Sequence, residues 1–179
     1  MILMQLLFKR LNNEIMEENT IQYIEKLESK CKMNKDMHFI AANRFKSYNT
    51  FLIVSIMLIN LTIAVAHLFS VNAEMPVIVI NSTSVLSLIA VFFAGFELRF
   101  DYSKKFEGHR RIGNKYLELS GSCGKNIAII KGDKGDKLDI EKVIDGLNRC
   151  YTKINKEAEG FPISQSAFKR AKKNQKQVN

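Results

Sequence analysis

The sequence predicts an all-α membrane protein built on a two-helix transmembrane hairpin, with long helical extensions and further N- and C-terminal helices. Three observations carry that expectation. Residues 51–96 hold no lysine, no arginine and a single acid, Glu74. Within them, Phe51–Phe69 and Pro76–Phe96 are uncharged runs of 19 and 21 residues, and a hydrocarbon core of ~30 Å needs roughly 20 helical residues. The six residues between them, Ser70–Met75, suffice for a turn between antiparallel helices and are too few for a domain. Buried helices of soluble domains rarely stay apolar on every face for so long. Pro76 suits a first helical turn, where its missing N–H costs nothing.

Flanking charge orients the hairpin. Lys30, Lys32, Lys35, Arg44 and Lys46 precede the first span, and Arg99, Lys104, Lys105, Arg110, Arg111 and Lys115 follow the second, whereas the turn has no basic residue. Lys/Arg bias in short loops sets topology, so both termini are expected in the cytoplasm and the turn outside. "MILMQLLFKR" does not read as a signal peptide, because its positive charges follow its short apolar run instead of preceding it.

At 179 residues the chain is one domain's worth of sequence. Much of the excess behind its net charge of +9 clusters beside the spans, where it serves topology and attracts anionic lipid. Nucleic acid is not expected as a partner: there is no tryptophan, and no basic stretch interleaved with aromatics to form a stacking platform. Cys31, Cys123 and Cys150 are odd in number, far apart and without CxxC spacing, the pattern of reduced thiols. His38, His67 and His109 are equally scattered and suggest no metal site. No cofactor is implied.

Residues 1–35 read as an N-terminal cytoplasmic segment of one or two helices. Ile2, Leu3, Leu6, Leu7 and Leu11 give one apolar face; Ile21, Ile24, Leu27 and Cys31 give a second, after a capping box of Asn19 and Gln22. The first face could lie on the membrane surface or pack on a cytoplasmic bundle. Asp36 reads as an N-cap, and nothing breaks Met37–Phe69, so the first span continues a helix begun in the cytoplasm. Beyond the second span, Tyr102, Phe106, His109, Gly113, Tyr116 and Ser120 repeat at +4 and +3, a 3.5-residue period that marks a packed seam. His109 and Gly113 suit packing against the chain's own helices better than a dimeric coiled coil.

This helix, over about 97–120, is expected to end at "SGSCG", where two glycines break it. The loop "KGDKGDK" follows a short apolar stretch, Asn126–Ile130. Asp136 or Asp139 then caps a helix over about 138–159 with the apolar set Ile140, Ile144, Leu147, Tyr151, Ile154 and Ala158, closed by Gly160 and Pro162. The tail from Ser164 carries Lys169, Arg170, Lys172, Lys173 and Lys176 and reads as a short helix, with 174–179 a frayed basic end.

Two motifs fail on inspection. "GSCGKN" lacks the first glycine and the hydroxyl of a phosphate-binding loop, and "DKGDKLDIE" places Gly135 where a calcium ligand belongs. With no nucleophile constellation either, no enzymatic activity is expected.

Polar residues inside the spans are the candidate functional positions. Asn60, Ala64 and His67 share one helical face; Asn81, Ser84, Ser87, Val91 and Ala94 make a comparable stripe. In a hairpin closed at 70–75, Asn60 would lie near Ser84–Ser87 and His67 near Val77–Asn81. Such residues either join the two helices by interhelical hydrogen bonds or line a water-filled lumen. One hairpin cannot enclose a pore, so the second role needs a homo-oligomer.

The segment "AANRFKSYNTFLIVSIMLINLTIAVA", the stretch "KKFEGHRRIGNKYLELSG" after the second span and the helix "IEKVIDGLNRCYTKINKEAEGFPIS" together resemble the SLATT family. These are two-transmembrane effector domains of bacterial nucleotide-signalling and conflict systems. The resemblance covers about residues 36–173 and leaves 1–35 outside. It implies an effector of the bacterial inner membrane that forms pores or disrupts the membrane when a partner senses infection. The partner would be a separate protein, a nucleotide-making enzyme or a reverse transcriptase. The expectation is therefore a non-enzymatic, oligomerising effector of antiphage defence. Its rivals are a membrane-anchored scaffold for a cytoplasmic enzyme and a holin-like lysis protein, which rarely needs some 80 residues after its last span.

Overall fold

The computed structural model describes residues 2–70, 77–132 and 139–178, with side chains over 16–68, 77–132 and 139–175. Their regular structure is entirely helical: α1 (Ile2–Ser70), α2 (Val77–Phe100), α3 (Tyr102–Ile130), α4 (Ile140–Ala158) and α5 (Gln165–Val178). The chain divides into two compact units, Met1–Ala41 with Gly108–Asn179, and Ala42–Glu107. Of the turn expected at Ser70–Met75, Ser70 instead ends α1, and 71–75, Asp136 as an alternative cap and the apolar face of Ile2–Leu11 lie outside the described residues or side chains.

α1 is one helix of 69 residues, so the starts expected at Asn19 and Asp36 are both corrected. The chain has no proline before Pro76 and no glycine before Gly95, and an N-cap adds only ~1 kcal/mol. Opening the helix at either residue would instead interrupt the buried ladder Thr20, Ile24, Leu27, Cys31, His38 and Ala41. Asp36 serves as an ion-pair partner of Lys35, at 3.0 Å.

The second apolar stretch also passes into a further helix, with one irregularity. Asp101 sits at φ 42°, in the left-handed region, between α2 and α3. Aspartate tolerates that region better than most side chains. Its N–H donates to Glu97 O at 2.9 Å and its carbonyl accepts from Lys105 N–H at 3.1 Å, so the hydrogen-bond ladder continues on both sides. Its Oδ1 accepts the Lys104 N–H at 3.1 Å and thereby caps α3.

α3 does not stop at "SGSCG" as expected; it runs through Gly121 and Gly124 to Ile130. Each helical glycine costs ~1 kcal/mol relative to alanine. Burial of Leu119, Cys123 and Ile130 on one face of the same helix outweighs that, at ~1.5–3 kcal/mol for each large apolar side chain removed from water. The stretch "GSCGKN" is thus helical and forms no phosphate loop.

The core of the first unit gathers Ile24, Leu27 and Cys31 of α1, Ile112, Tyr116, Leu119, Cys123 and Ile130 of α3, and Leu147 and Ile154 of α4. α3 runs antiparallel to α1, as the pairs Lys131–Glu25 and His109–His38 require. Asp139 caps α4 by accepting the Lys142 N–H, the one of the two expected caps that lies among the described residues. Polar contacts tie α4 to both neighbours. Tyr23 Oη donates to Asn148 Oδ1 at 2.7 Å, Tyr116 Oη donates to Asn155 Oδ1 at 2.6 Å, and Lys115 pairs with Glu157. α5 docks through Ala167 and Ala171, both buried.

Two glycines of α3 are fixed by close approach. A Cβ at Gly108 would fall 1.8 Å from the Phe161 ring, and one at Gly113 2.8 Å from the Phe39 ring, whereas one at Gly121 would meet nothing within 4 Å. The two kinds of glycine should respond oppositely to alanine. Gly121→Ala is expected to raise the stability of the bundle by ~1 kcal/mol, and Gly108→Ala to lower it by about 1–3 kcal/mol. Thermal melts followed by circular dichroism will show whether the signs differ.

Candidate functional site

Two stretches of helix, one in α1 and one beginning at Val77, are long and apolar enough to cross a membrane. They do not behave as core helices of a soluble domain. Of their most apolar 18 residues, 0% and 11% are buried, and Phe51, Met57, Leu58, Leu61, Leu68, Val77, Ile78, Leu88, Val91 and Phe92 stand exposed.

Within the unit Ala42–Glu107 the inward faces follow a 3.5-residue period. On α1 it runs Phe45, Asn49, Leu52, Ile56, Ile59, Ile63 and Ala66; on α2 it runs Val79, Thr83, Leu86, Ala90, Phe93 and Glu97. Leu52, Thr83 and Ala90 are the buried members. Small side chains at Thr83 and Ala90 allow the two helices to approach closely.

The polar stripe read from the sequence lies off this face. Asn60, His67, Asn81, Ser84 and Ser87 are all exposed, so Asn60, Asn81, Ser84 and Ser87 do not lie on the face buried between α1 and α2 in this unit. The hydroxyls are satisfied by their own helix. Ser84 Oγ donates to Ile80 O at 2.9 Å, Ser87 Oγ to Thr83 O at 2.9 Å, and Thr62 Oγ1 to Leu58 O at 2.9 Å. This is the usual back-bonding of Ser and Thr in helices. Among the described residues, the amides of Asn60 and Asn81 have no such bond. Asn49 is a polar residue the sequence did not single out. It sits on the inward face with its Oδ1 buried and unpartnered among the described residues, and only its position in the period could have pointed to it.

The second predicted set, Tyr102, Phe106, His109, Gly113 and Tyr116, falls into the two units. His109, Gly113 and Tyr116 are buried inside the first, so that part of the seam is consumed within the chain and leaves no face for a second copy. Tyr102 and Phe106 belong to the other unit and are half-buried.

The histidines, expected to be scattered, include one close pair. His38 and His109 are both 1% exposed, with their Nδ1 atoms 3.0 Å apart. One Nδ1 carries the proton and donates while the other accepts, so the bond is lost when both rings are protonated and no acceptor remains. No third His, Cys, Asp or Glu completes a metal-binding group with them among the described residues. Tyr116 packs on His38 and Phe161 meets His109 edge-on, at ring distances of 5.8 and 5.7 Å. Burial, and then the His109 charge, push His38 down to about 4, and burial lowers His109 as well. Burial likewise raises Cys31 to about 12 and Cys123 to about 11, which leaves both as inert thiols.

Comparison with family models, with curated proteins and with solved structures finds no match for this chain. The geometry therefore stands on its own.

The histidine pair makes bundle stability depend on pH. Both folded pKa values lie below the unfolded value near 6.5, so the unfolded chain binds more protons in that window and stability falls with falling pH. The contribution is complete above pH ~6.5 and is lost as pH falls towards 4, amounting to on the order of 3 kcal/mol from His38 alone. Melts at pH 7.5 and 5 should show the loss, and the double change His38→Gln/His109→Gln should flatten it. An unchanged slope in that variant would move the effect elsewhere.

Proposed function

We propose that the chain is a non-enzymatic membrane effector. In this reading its two apolar helices form a spanning hairpin, and several copies assemble so that Asn60, His67, Asn81, Ser84 and Ser87 face a water-filled lumen. The single observation that carries the reading is the exposure of that stripe on helices otherwise apolar at their surface. A primary amide facing hydrocarbon leaves two donors and an acceptor without partners, each at a cost of several kcal/mol. Asn60 and Asn81 find none within the described residues, so water or another copy must supply them. A lumen between copies supplies both.

The hairpin is supported by ring contacts inside one unit: Tyr102 stands 6.1 Å from Phe45 and 5.7 Å from Tyr48. Those pairings suit antiparallel helices closed near residues 70–75. Basic residues on both flanks and none in the turn favour cytoplasmic termini. The resemblance to SLATT effectors adds the setting: a bacterial inner membrane, antiphage defence and a separate signalling partner that triggers the assembly.

Topology and conduction are tested separately. A cysteine placed at Val71 should react with an impermeant reagent in intact spheroplasts while native Cys150 is spared; the reverse pattern would overturn the orientation. Asn60→Leu and Ser84→Leu should abolish trigger-dependent ion leakage without changing expression or oligomer size. Leu58→Ile, on the exposed apolar surface, should do neither. Leakage equal to wild type in both stripe variants would remove the stripe from the function. A loss of assembly instead would assign it to contact between copies, worth ~1 kcal/mol per bond.

A further inference from the structure

Within the unit Ala42–Glu107, the exposed apolar surface ends in a cluster of rings and cations. Phe92, Phe96 and Phe100 form a ladder along α2, with centroids 5.0 and 5.1 Å apart. Phe100 stacks on Tyr102 at 5.7 Å, and Tyr102 in turn meets Phe45 and Tyr48 of α1. Two cations are held on these rings. Lys105 Nζ lies 5.8 Å from the Phe45 ring, 5.7 Å from Phe100 and 5.8 Å from Tyr102. The Arg44 guanidinium lies 5.4 Å from the Tyr48 ring, and its Nε donates to Tyr48 Oη at 2.8 Å.

The nearby acids do not neutralise Lys105. Asp101 directs its Oδ1 to the Lys104 N–H, and neither it, Glu97 nor Glu107 forms an ion pair with Lys105 among the described residues. Ring faces attract the Lys105 ammonium weakly and make no hydrogen bond to its N–H donors among the described residues. Those donors suit a stronger, anionic acceptor such as a phosphate oxygen.

We infer that Arg44 and Lys105, held on Tyr48 and Tyr102, bind the headgroup of an anionic phospholipid, whose acyl chains lie along the Phe92–Phe96–Phe100 ladder. The inference rests on the membrane reading above. A soluble phosphate would use the cations alone. The three phenylalanines are 62%, 39% and 39% exposed and run directly away from the cations along α2, as a ligand with a phosphate at one end and hydrocarbon at the other requires. Aromatic and basic side chains gather at this depth because amphipathic rings prefer the interface and the cytoplasmic leaflet carries anionic lipid.

The test is the association of spin-labelled phosphatidylglycerol, relative to phosphatidylcholine, with full-length protein in phosphatidylcholine vesicles. Wild type should prefer phosphatidylglycerol, and Arg44→Gln/Lys105→Gln should lower that preference by about fivefold for each cation removed. Lys105→Arg should retain it. So should Lys125→Gln/Lys142→Gln, which removes equal charge from the other unit. No preference in wild type, or an equal loss in the Lys125/Lys142 variant, would overturn the site. Abolition of the preference by millimolar inorganic phosphate at constant ionic strength would assign the cations to free phosphate and overturn the lipid. Resistance to alkaline carbonate extraction separates the two readings. A chain that resists extraction but shows no lipid preference refutes this site alone, and a chain that is extracted refutes both.

Discussion

Helix α1 contributes to both compact units, and with neither glycine nor proline to break it, the pattern of its side chains decides what packs against it. In the first unit the buried and half-buried positions run Thr20, Ile24, Leu27, Cys31, Asn34, His38 and Ala41, alternating steps of four and three. In the second they resume at Phe45, take one extra step of four to Asn49, and continue through Leu52 to Ala66. An added four-residue step in such a repeat is a stutter, which locally unwinds the supercoil. On the membrane reading, the same period serves two different solvents. Where water surrounds the helices, removal of Ile24, Ile112 and Leu147 from it drives packing. Where the outer surface is apolar, that drive is absent and fit between small side chains such as Thr83 and Ala90 takes over.

The long apolar runs and the 3.5-residue seams were legible because each rests on many residues that agree. Ile140, Leu147, Tyr151 and Ile154 indicated α4, and Asp139 its cap. Boundaries set by single residues were not legible. Asn19, Asp36, Gly121 and Gly124 each carry a local preference of ~1 kcal/mol, and each is overridden by burial of the ladder on the same helix. The histidine pair escaped because its members are 71 residues apart. His109 stood out by its period, whereas His38 fell just after the misassigned start at Asp36. The side to which the polar stripe turns was also hidden. Asn60 follows an inward position, Ile59, directly, so only the observed register could tell inside from outside.

That register separates polar residues which look equivalent in the sequence. Ser82, Ser84, Ser87 and Thr62 each donate to a carbonyl one turn earlier on their own helix, so they can face hydrocarbon, water or another helix at little cost. They do not by themselves demand a lumen. Asn60 and Asn81 do call for a partner, water or another copy, because a primary amide carries two donors and an acceptor and cannot satisfy all three by back-bonding. The case for an aqueous face therefore rests on two amides, with the serines as permissive neighbours. On the proposed reading, the wall they form is uncharged and offers both donors and acceptors. The amides and serines would admit ions of either sign alike, and selectivity would come from His67, the remaining member of the stripe, or from charges beyond the spans, where Lys46, Arg99, Lys104 and Lys105 outnumber Glu97 and Asp101.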